Sequence, residues 1–430
     1  MRPVVMLLIG TRGIRITDTV QQLRSVGDVV VLTSADIMNR RADRLDDDLP
    51  ADVVIAPDRE ALVDHAVAYA ARRTVDGVLT FSDDLLEAAA VVADRLGLPG
   101  QPPETIALFR DKYLQRGALA AVGVPTPRFA RLMSPADVPA ALAEVPLPAI
   151  LKPTRGSGGA LASIVTTPDE LSSHVARAFD DAARAGGAVD PDTAFILEEL
   201  LVGDPAAATP GFAPYVSVES IAVGGAVCHL AVTDRFPTAP PVLETGMMLP
   251  SALGAQARAD VLGMAGQALH ALGFRTGLAH TELMLTADGP RVIEVNGRAG
   301  GALPYLFPMV STVNLIARAG LAALGTESGE LPTFTGHAVF VSPHHPVGVE
   351  IEKVDGLDEI GALPAIRAVI PISVGPGRTD AHRDTLIAAV LGTVATPGEA
   401  VGVWREVMAL VRPQYTSRGL ARTPGMTSSP

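Results

Sequence analysis

Short apolar runs and helical patterns alternate through the first hundred residues. The runs at 4–9, 29–33, 53–56 and 78–81 are rich in Val, Ile and Leu, as strands buried on both faces are, and Ile16, Val20 and Leu23 follow the first run at helical spacing. This alternation predicts a parallel, Rossmann-like α/β sheet over residues 1–105. Gly and Pro crowd residues 96–103 and mark a boundary. A helical pattern over 105–122 then stops at Gly123-Val124-Pro125-Thr126-Pro127, and strands at 149–152 and 163–166 enclose a glycine-rich loop. Runs at 195–201, 216–223, 227–232, 281–285 and 292–295 predict a second, mainly antiparallel sheet with a helix inserted at 255–272. Strands at 337–341 and 368–374 and a helix at 384–391 predict a C-terminal lobe over 321–411. Residues 412–430 read as a disordered tail. No repeat of 20 to 50 residues is visible.

A chain of 430 residues, at roughly 150 per domain, allows two to four folded units. Its net charge of −13 opposes non-specific attraction to nucleic acid or to an anionic membrane, so any phosphate must be held locally. The single cysteine, Cys228, excludes an internal disulfide and a Cys-rich metal site and agrees with a reducing, cytoplasmic setting. The apolar start is too short for a signal peptide and lacks a cleavage site, and no run of 18 apolar residues occurs, so neither secretion nor a membrane span is expected.

The most informative segment runs from His280 to Arg298. Two apolar-rich runs flank Ala287-Asp288-Gly289, which reads as a hairpin with a three-residue loop and Gly289 in the left-handed region. That register places Glu282 across from Glu294, and Asn296 and Arg298 share the face of Glu294 if the strand continues. Facing carboxylates repel unless a cation lies between them. Two carboxylates and an amide carbonyl are hard oxygen ligands that suit one or two Mg²⁺ ions. The same spacing also fits a solvated polar face with Arg298 paired to a carboxylate.

Three further segments are weak singly. Lys152 ends a strand ahead of Arg155-Gly156-Ser157-Gly158-Gly159, where a point charge and approachable backbone N–H groups can hold a polyphosphate, although neither a Walker A loop nor a dinucleotide fingerprint is present. A flexible surface hairpin fits equally. Asp111-Lys112 sits in a helical pattern, and Ile196-Leu197-Glu198-Glu199-Leu200-Leu201 places adjacent glutamates on a strand.

In this order and at these separations the four segments resemble the ATP-grasp superfamily over roughly residues 1–320. The resemblance implies a preceding Rossmann-like domain and two α+β lobes clasping ATP, a small lobe at about 106–200 and a large lobe at about 201–320. It implies phosphate-binding roles for Lys112 and Lys152, with the loop from Gly156 through Ser157 and Gly158 to Gly159 closing over the phosphates. By the same likeness Glu198 accepts from the adenine amine, backbone groups of Glu199 and Leu201 read the ring edge, Glu282, Glu294 and Asn296 ligate Mg²⁺ (or Mn²⁺), and Arg298 faces the transferred phosphoryl group. A homodimer is implied as well.

The stretch from Glu294 through Gly300-Gly301 to Pro304 looks most like the carboxylate–amine ligases that act on amino acids, and Glu244-Thr245-Gly246 looks like their substrate loop, with Glu244 meeting an amino group. Met247 and Met248 stand where several members carry a histidine, which points to a more apolar pocket. Gly203 to Pro214 is an insertion after the hinge, and Pro214-Tyr215 replaces an acidic residue that commonly meets ribose. The implied reaction joins a small carboxylate, such as an amino acid, to an amine through an acyl phosphate, with ATP giving ADP and phosphate. A carboxylase of the biotin-carboxylase or purine-biosynthesis kind and a non-catalytic nucleotide-binding regulator are the alternatives. Arg235 reads as a substrate or phosphate contact, Glu219 as a residue able to face the site, Cys228 as a buried strand side chain, and Asp46-Asp47-Asp48 as a solvated turn. The adjacent His344 and His345 point apart and form no metal pair.

Overall fold

A computed structural model describes residues 2–416 except 12, 42–44, 46–48, 157–160, 185–193, 241, 328, 347–348, 374–376 and 379–384. The acidic turn at 46–48 therefore lies outside the described residues. Strands Val4–Leu8, Asp28–Ser34, Asp52–Ala56 and Gly77–Thr80 form a parallel sheet in the spatial order third, second, first, fourth. One face is covered by helices Leu62–Ala70 and Leu86–Arg95. The other face shares a core with helices Leu303–Val310 and Leu315–Ala323: Val5, Leu7, Val29 and Val31 lie in one cluster with Leu303, Phe307, Leu315 and Ile316. The N-terminal sheet is thus anchored to the segment that follows Arg298.

An antiparallel sheet of four strands, Phe129–Leu132, Phe195–Glu199, Ala149–Pro153 and Ser163–Val165, builds the small lobe around Leu151, Leu197, Phe195 and Leu171. The large sheet has eight strands, running from Gly289–Asn296 at one edge through Gly277–Thr286, Tyr215–Val223, Ala226–Arg235 and Gly246–Leu249 to His337–Val341, Ala388–Val394 and Ile366–Pro371. It continues unbroken past residue 320, because His337–Val341 pairs with Gly246–Leu249. Helix Ala255–Ala271 buries Val261, Ala265 and Leu269 against the sheet on one side.

The structure corrects several sequence expectations. Residues 388–394 form a strand between two others where a helix over 384–391 was expected. Its unbroken apolar run lacks the alternation of a half-buried strand, and Ala and Leu favour helix, so local pattern misleads where both strand edges are paired. Arg412–Tyr415 is a strand paired with Glu350–Asp355, so the tail is ordered at its start, and 417–430 lie outside the described residues. The helical pattern over 105–122 is two helices, Pro103–Arg110 and Lys112–Ala121, because the Asp111 side chain turns to accept from the N–H groups of Tyr113 and Leu114. Among the described residues, no helix is long and apolar enough to cross a membrane.

Candidate active site

The hairpin is tighter than a three-residue loop. Thr286 pairs with Gly289 across Ala287-Asp288, and pairs near the turn run one residue out of the expected register. A bulge at Ile293 restores it, so Glu282 does oppose Glu294, and His280 opposes Asn296. Gly289 takes φ 102°, the positive value expected of it.

Each carboxylate of the pair has drawn a cation. Lys112, at the start of its helix, reaches Glu294 Oε1 at 2.9 Å and donates to the Gly156 carbonyl, also at 2.9 Å. Its backbone N–H donates to Thr154, which ties the helix start to the mouth of the glycine loop. Ser157, Gly158 and Gly159 lie outside the described residues. Glu282 meets His280 Nε2 at 3.2 Å. Burial alone would raise the Glu282 pKa, but His280, then Arg235 and Arg298, hold it well below the usual carboxylate range. Two anionic carboxylates and the buried Asn296 therefore sit where positive charge is already demanded, and this donor set fits Mg²⁺, which needs only one or two carboxylates plus waters and phosphates. No cluster of three or more His, Cys, Asp and Glu able to hold a metal occurs among the described residues.

Lys152 is 2.6 Å from Glu198 Oε2, and Arg116 Nε is 2.9 Å from Glu198 Oε1. Burial would raise the Glu198 pKa, yet Arg116 and Lys152 together hold it at about 2. The carboxylate is 2% exposed and flanked by cations on both oxygens. Arg116 also donates to the Ile293 carbonyl, on the bulge of the hairpin that holds Glu282 and Glu294. The Glu199 N–H is given to the Arg128 carbonyl, so it cannot also read a base, and Leu201, half-buried, follows the strand end.

Arg298 donates from Nε to Asp83 Oδ2 at 2.9 Å, with Nη2 also 2.9 Å from that oxygen, and from Nη1 to the Ala299 carbonyl. Burial weakens its charged form, but Asp83, Glu294 and Glu282 outweigh this and raise its pKa. A second buried chain leads from strand Gly277–Thr286 to the loop that carries Glu244. His280 donates from Nδ1 to Glu219, and Glu219 accepts from the Gly300 N–H at 3.4 Å. Arg235 lies 3.1 Å from His280 and 2.8 Å from Glu244, with its guanidinium over the Tyr215 ring. Burial would lower the His280 pKa, but Glu219 and Glu282 raise it to about 9, so the imidazole is a cation near neutral pH. A Cβ at Gly300 would stand 2.8 Å from the His280 ring, whereas Gly301 faces open space.

The Glu244 carboxylate is 44% exposed, while its backbone carbonyl accepts from Ser342 Oγ and contacts His344 Nε2 at 3.0 Å. Trp404 Nε1 donates to Thr245 Oγ1. The Gly203 to Pro214 insertion is drawn in here too: Thr209 donates to the buried Asp234, and Phe212 stacks on Phe236, which stacks on Trp404. Met247 and Met248 are not pocket walls; they are 4% and 0% exposed and pack in two different cores. Cys228 is partly buried and donates to the Gly329 carbonyl. Arg116, Asp83 and Trp404 do not figure in the sequence reading, and His280 enters it only as the first residue of the hairpin segment, although it stands two residues before Glu282 on the same strand face.

Residues 26–100 match the ATP-grasp N-terminal domain family and residues 145–304 the ATP-grasp domain family. The chain belongs to the ATP-grasp superfamily. Within it the chain is similar to members of the carboxylate–amine ligase branch: it is 29% identical to alanine–anticapsin ligase of Bacillus subtilis (strain 168) over 247 residues and 30% identical to carnosine synthase 1 of Mus musculus over 240. These matches cover 56% and 53% of this chain and 52% and 28% of those proteins, so the chain spans about half or less of the length of these curated relatives. In fold it is similar to the L-amino acid ligase from Bacillus licheniformis, with a TM-score of 0.80 at 22% identity, covering 97% of this chain and 100% of that one.

Proposed function

We propose that the chain is an ATP-dependent ligase that joins a small carboxylate, an amino acid or a related acid, to an amine. The observation that carries this reading is the opposed Glu282 and Glu294 with Asn296 and Arg298 beyond them, with Lys112 on Glu294 and Lys152 on Glu198 of the small lobe. The chemistry requires such an arrangement. A carboxylate becomes an acylating agent when its oxygen takes the γ-phosphoryl group and ADP leaves. The amine nitrogen then attacks the carbonyl carbon, loses a proton and expels phosphate. Both steps gather negative charge on oxygen, so preorganised cations supply most of the catalysis.

Mg²⁺ held by Glu282, Glu294 and Asn296 would neutralise phosphate charge and polarise the transferred group. Lys112 and Lys152, held on carboxylates, would exchange those partners for phosphate oxygens. Arg298 would meet the phosphoryl group and the acyl phosphate. Glu244, anchored by Arg235 and with its carboxylate exposed, would receive the ammonium of an amino-acid substrate. The likeness to two ligases that carry amino-acid names in part supports the substrate class.

The test is Mg²⁺-dependent phosphate release from ATP across amino acids singly and in pairs, with bicarbonate as a separate arm and product mass as the readout. Release that rises with particular pairs, together with a condensed product, is the expected result. Release with bicarbonate and no amine would overturn it in favour of a carboxylase.

A further inference from the structure

The segment after the fourth strand of the N-terminal sheet, Ser82-Asp83-Asp84, divides its side chains between two tasks. Ser82 and Asp84 face their own domain: Gly10 N–H donates to Ser82 Oγ, Thr11 donates to Asp84 from both N and Oγ1, and Arg59 is 3.0 Å from Asp84. Packing at Gly10 is so close that a Cβ there would stand 2.2 Å from Asp84 Oδ1 and 2.7 Å from the Ser82 Cβ. Asp83 reaches the other way, across the domain boundary, and on one oxygen accepts from Arg298 Nε and pairs with Nη2. It is presented by a braced loop.

We propose that Asp83 is a positioning residue for Arg298, so that the N-terminal domain, which supplies no ATP ligand in this reading, sets the aim of the guanidinium on the reacting groups. A guanidinium has five N–H donors. Asp83 takes one from Nε and holds Nη2 at 2.9 Å from the same oxygen, and the Ala299 carbonyl takes one from Nη1. Each Nη keeps an N–H beyond these contacts, as a bidentate carboxylate or phosphoryl group needs. An arginine without Asp83 keeps its charge but gains rotamers, and misplacement by about 1 Å can cost about 10²-fold in rate. The N-terminal domain is itself fixed to the following helix by a common core, so Asp83 and Arg298 are held in one frame.

The inference rests on the reading of Arg298 as the residue that meets the phosphoryl group, and the test separates the two. In the full chain, Asp83→Asn should lower kcat about 10- to 100-fold while the KM for ATP stays within about two-fold, with Asp83→Glu restoring part of the loss. Glu87→Gln removes a negative charge four residues on; its partner Arg155 is 3.3 Å away and 36% exposed, so this control should stay within about two-fold of wild type. Combined with Arg298→Lys, Asp83→Asn should add little further loss, as expected of coupled residues. If Arg298→Ala retains turnover, the reading of Arg298 fails. If Arg298→Ala loses turnover while Asp83→Asn keeps the wild-type kcat, the positioning role alone fails. Hydrogen exchange over residues 296–303 needs no substrate: Asp83→Asn should speed it, Glu87→Gln should not, and equal exchange in all three proteins would overturn the proposal.

Discussion

At the scale of single residues, the site is a set of buried charges whose partners are as informative as their identities. Glu294→Ala removes an oxygen ligand and the partner of Lys112, so ATP turnover should fall by at least about 10²-fold with the far-UV spectrum unchanged. Wild-type activity in that variant would refute the metal assignment. Glu198 makes a different prediction, because it holds two cations in the small lobe. Glu198→Gln leaves Arg116 buried without a counter-charge, and losses on breaking such pairs run to about 3–5 kcal/mol. The sign with pH follows from the depressed value: a carboxyl at about 2 when folded and 4.5 when free stabilises the fold fully above about pH 4.5 and loses that contribution as pH falls toward 2. Urea midpoints measured between pH 5 and 3 should therefore fall in the wild type and fall less steeply in Glu198→Gln. Parallel slopes would mean that Glu198 carries no such linkage.

At the scale of elements, register and capping place these side chains. The bulge at Ile293 makes Glu282 and Glu294 opposite despite a short turn, and Arg116 fixes the bulge by donating to its carbonyl. The facing of the two glutamates was legible from alternation around Ala287-Asp288-Gly289; the route to it was not, since the sequence does not announce a bulge. Lys112, Lys152 and Arg298 could be picked out because each lies in a local motif. Arg116, Asp83 and Trp404 could not, because their partners lie 82, 215 and 159 residues away in sequence and nothing local marks them. The same limit hid the strand at 388–394, whose apolar run acquires its meaning only between two neighbours. The C-terminal helix Pro397–Leu410 shows how such a distant element can act on the site. Trp404→Phe keeps a ring beside Phe236 but removes the donor to Thr245, next to Glu244. The KM for the amino-bearing substrate should rise about 3- to 10-fold, roughly the effect of one hydrogen bond, while the KM for ATP is unchanged. A shift in the ATP constant instead would mean that this helix supports the nucleotide lobe.

At the scale of the whole molecule, two kinds of boundary separate the parts. The N-terminal sheet and helices Leu303–Val310 and Leu315–Ala323 share one apolar cluster, in which Phe307 is fully buried and a Cβ at Gly77 would stand 3.0 Å from the Ala323 carbonyl. Contacts of that density do not slide without loss of packing. The small lobe has its own core around Leu151 and Leu197, and the links described above between it and the rest are polar: Lys112 with Gly156, Arg155 with Glu87, and Arg116 with Glu198. Polar links can exchange partners, whereas a shared core cannot. Phe307→Ala should therefore cost about 3–5 kcal/mol and lower the protection of strand 4–8 and helix 303–310 together in native-state hydrogen exchange, because a cavity there weakens both sides at once. Binding of a non-hydrolysable ATP analogue with Mg²⁺ should slow exchange in strands 149–153 and 280–296 and leave strand 4–8 unchanged. If Phe307→Ala loosened the 303–310 helix while strand 4–8 kept its wild-type protection, the N-terminal domain would be an independent body, and Asp83 could not hold Arg298 in a common frame.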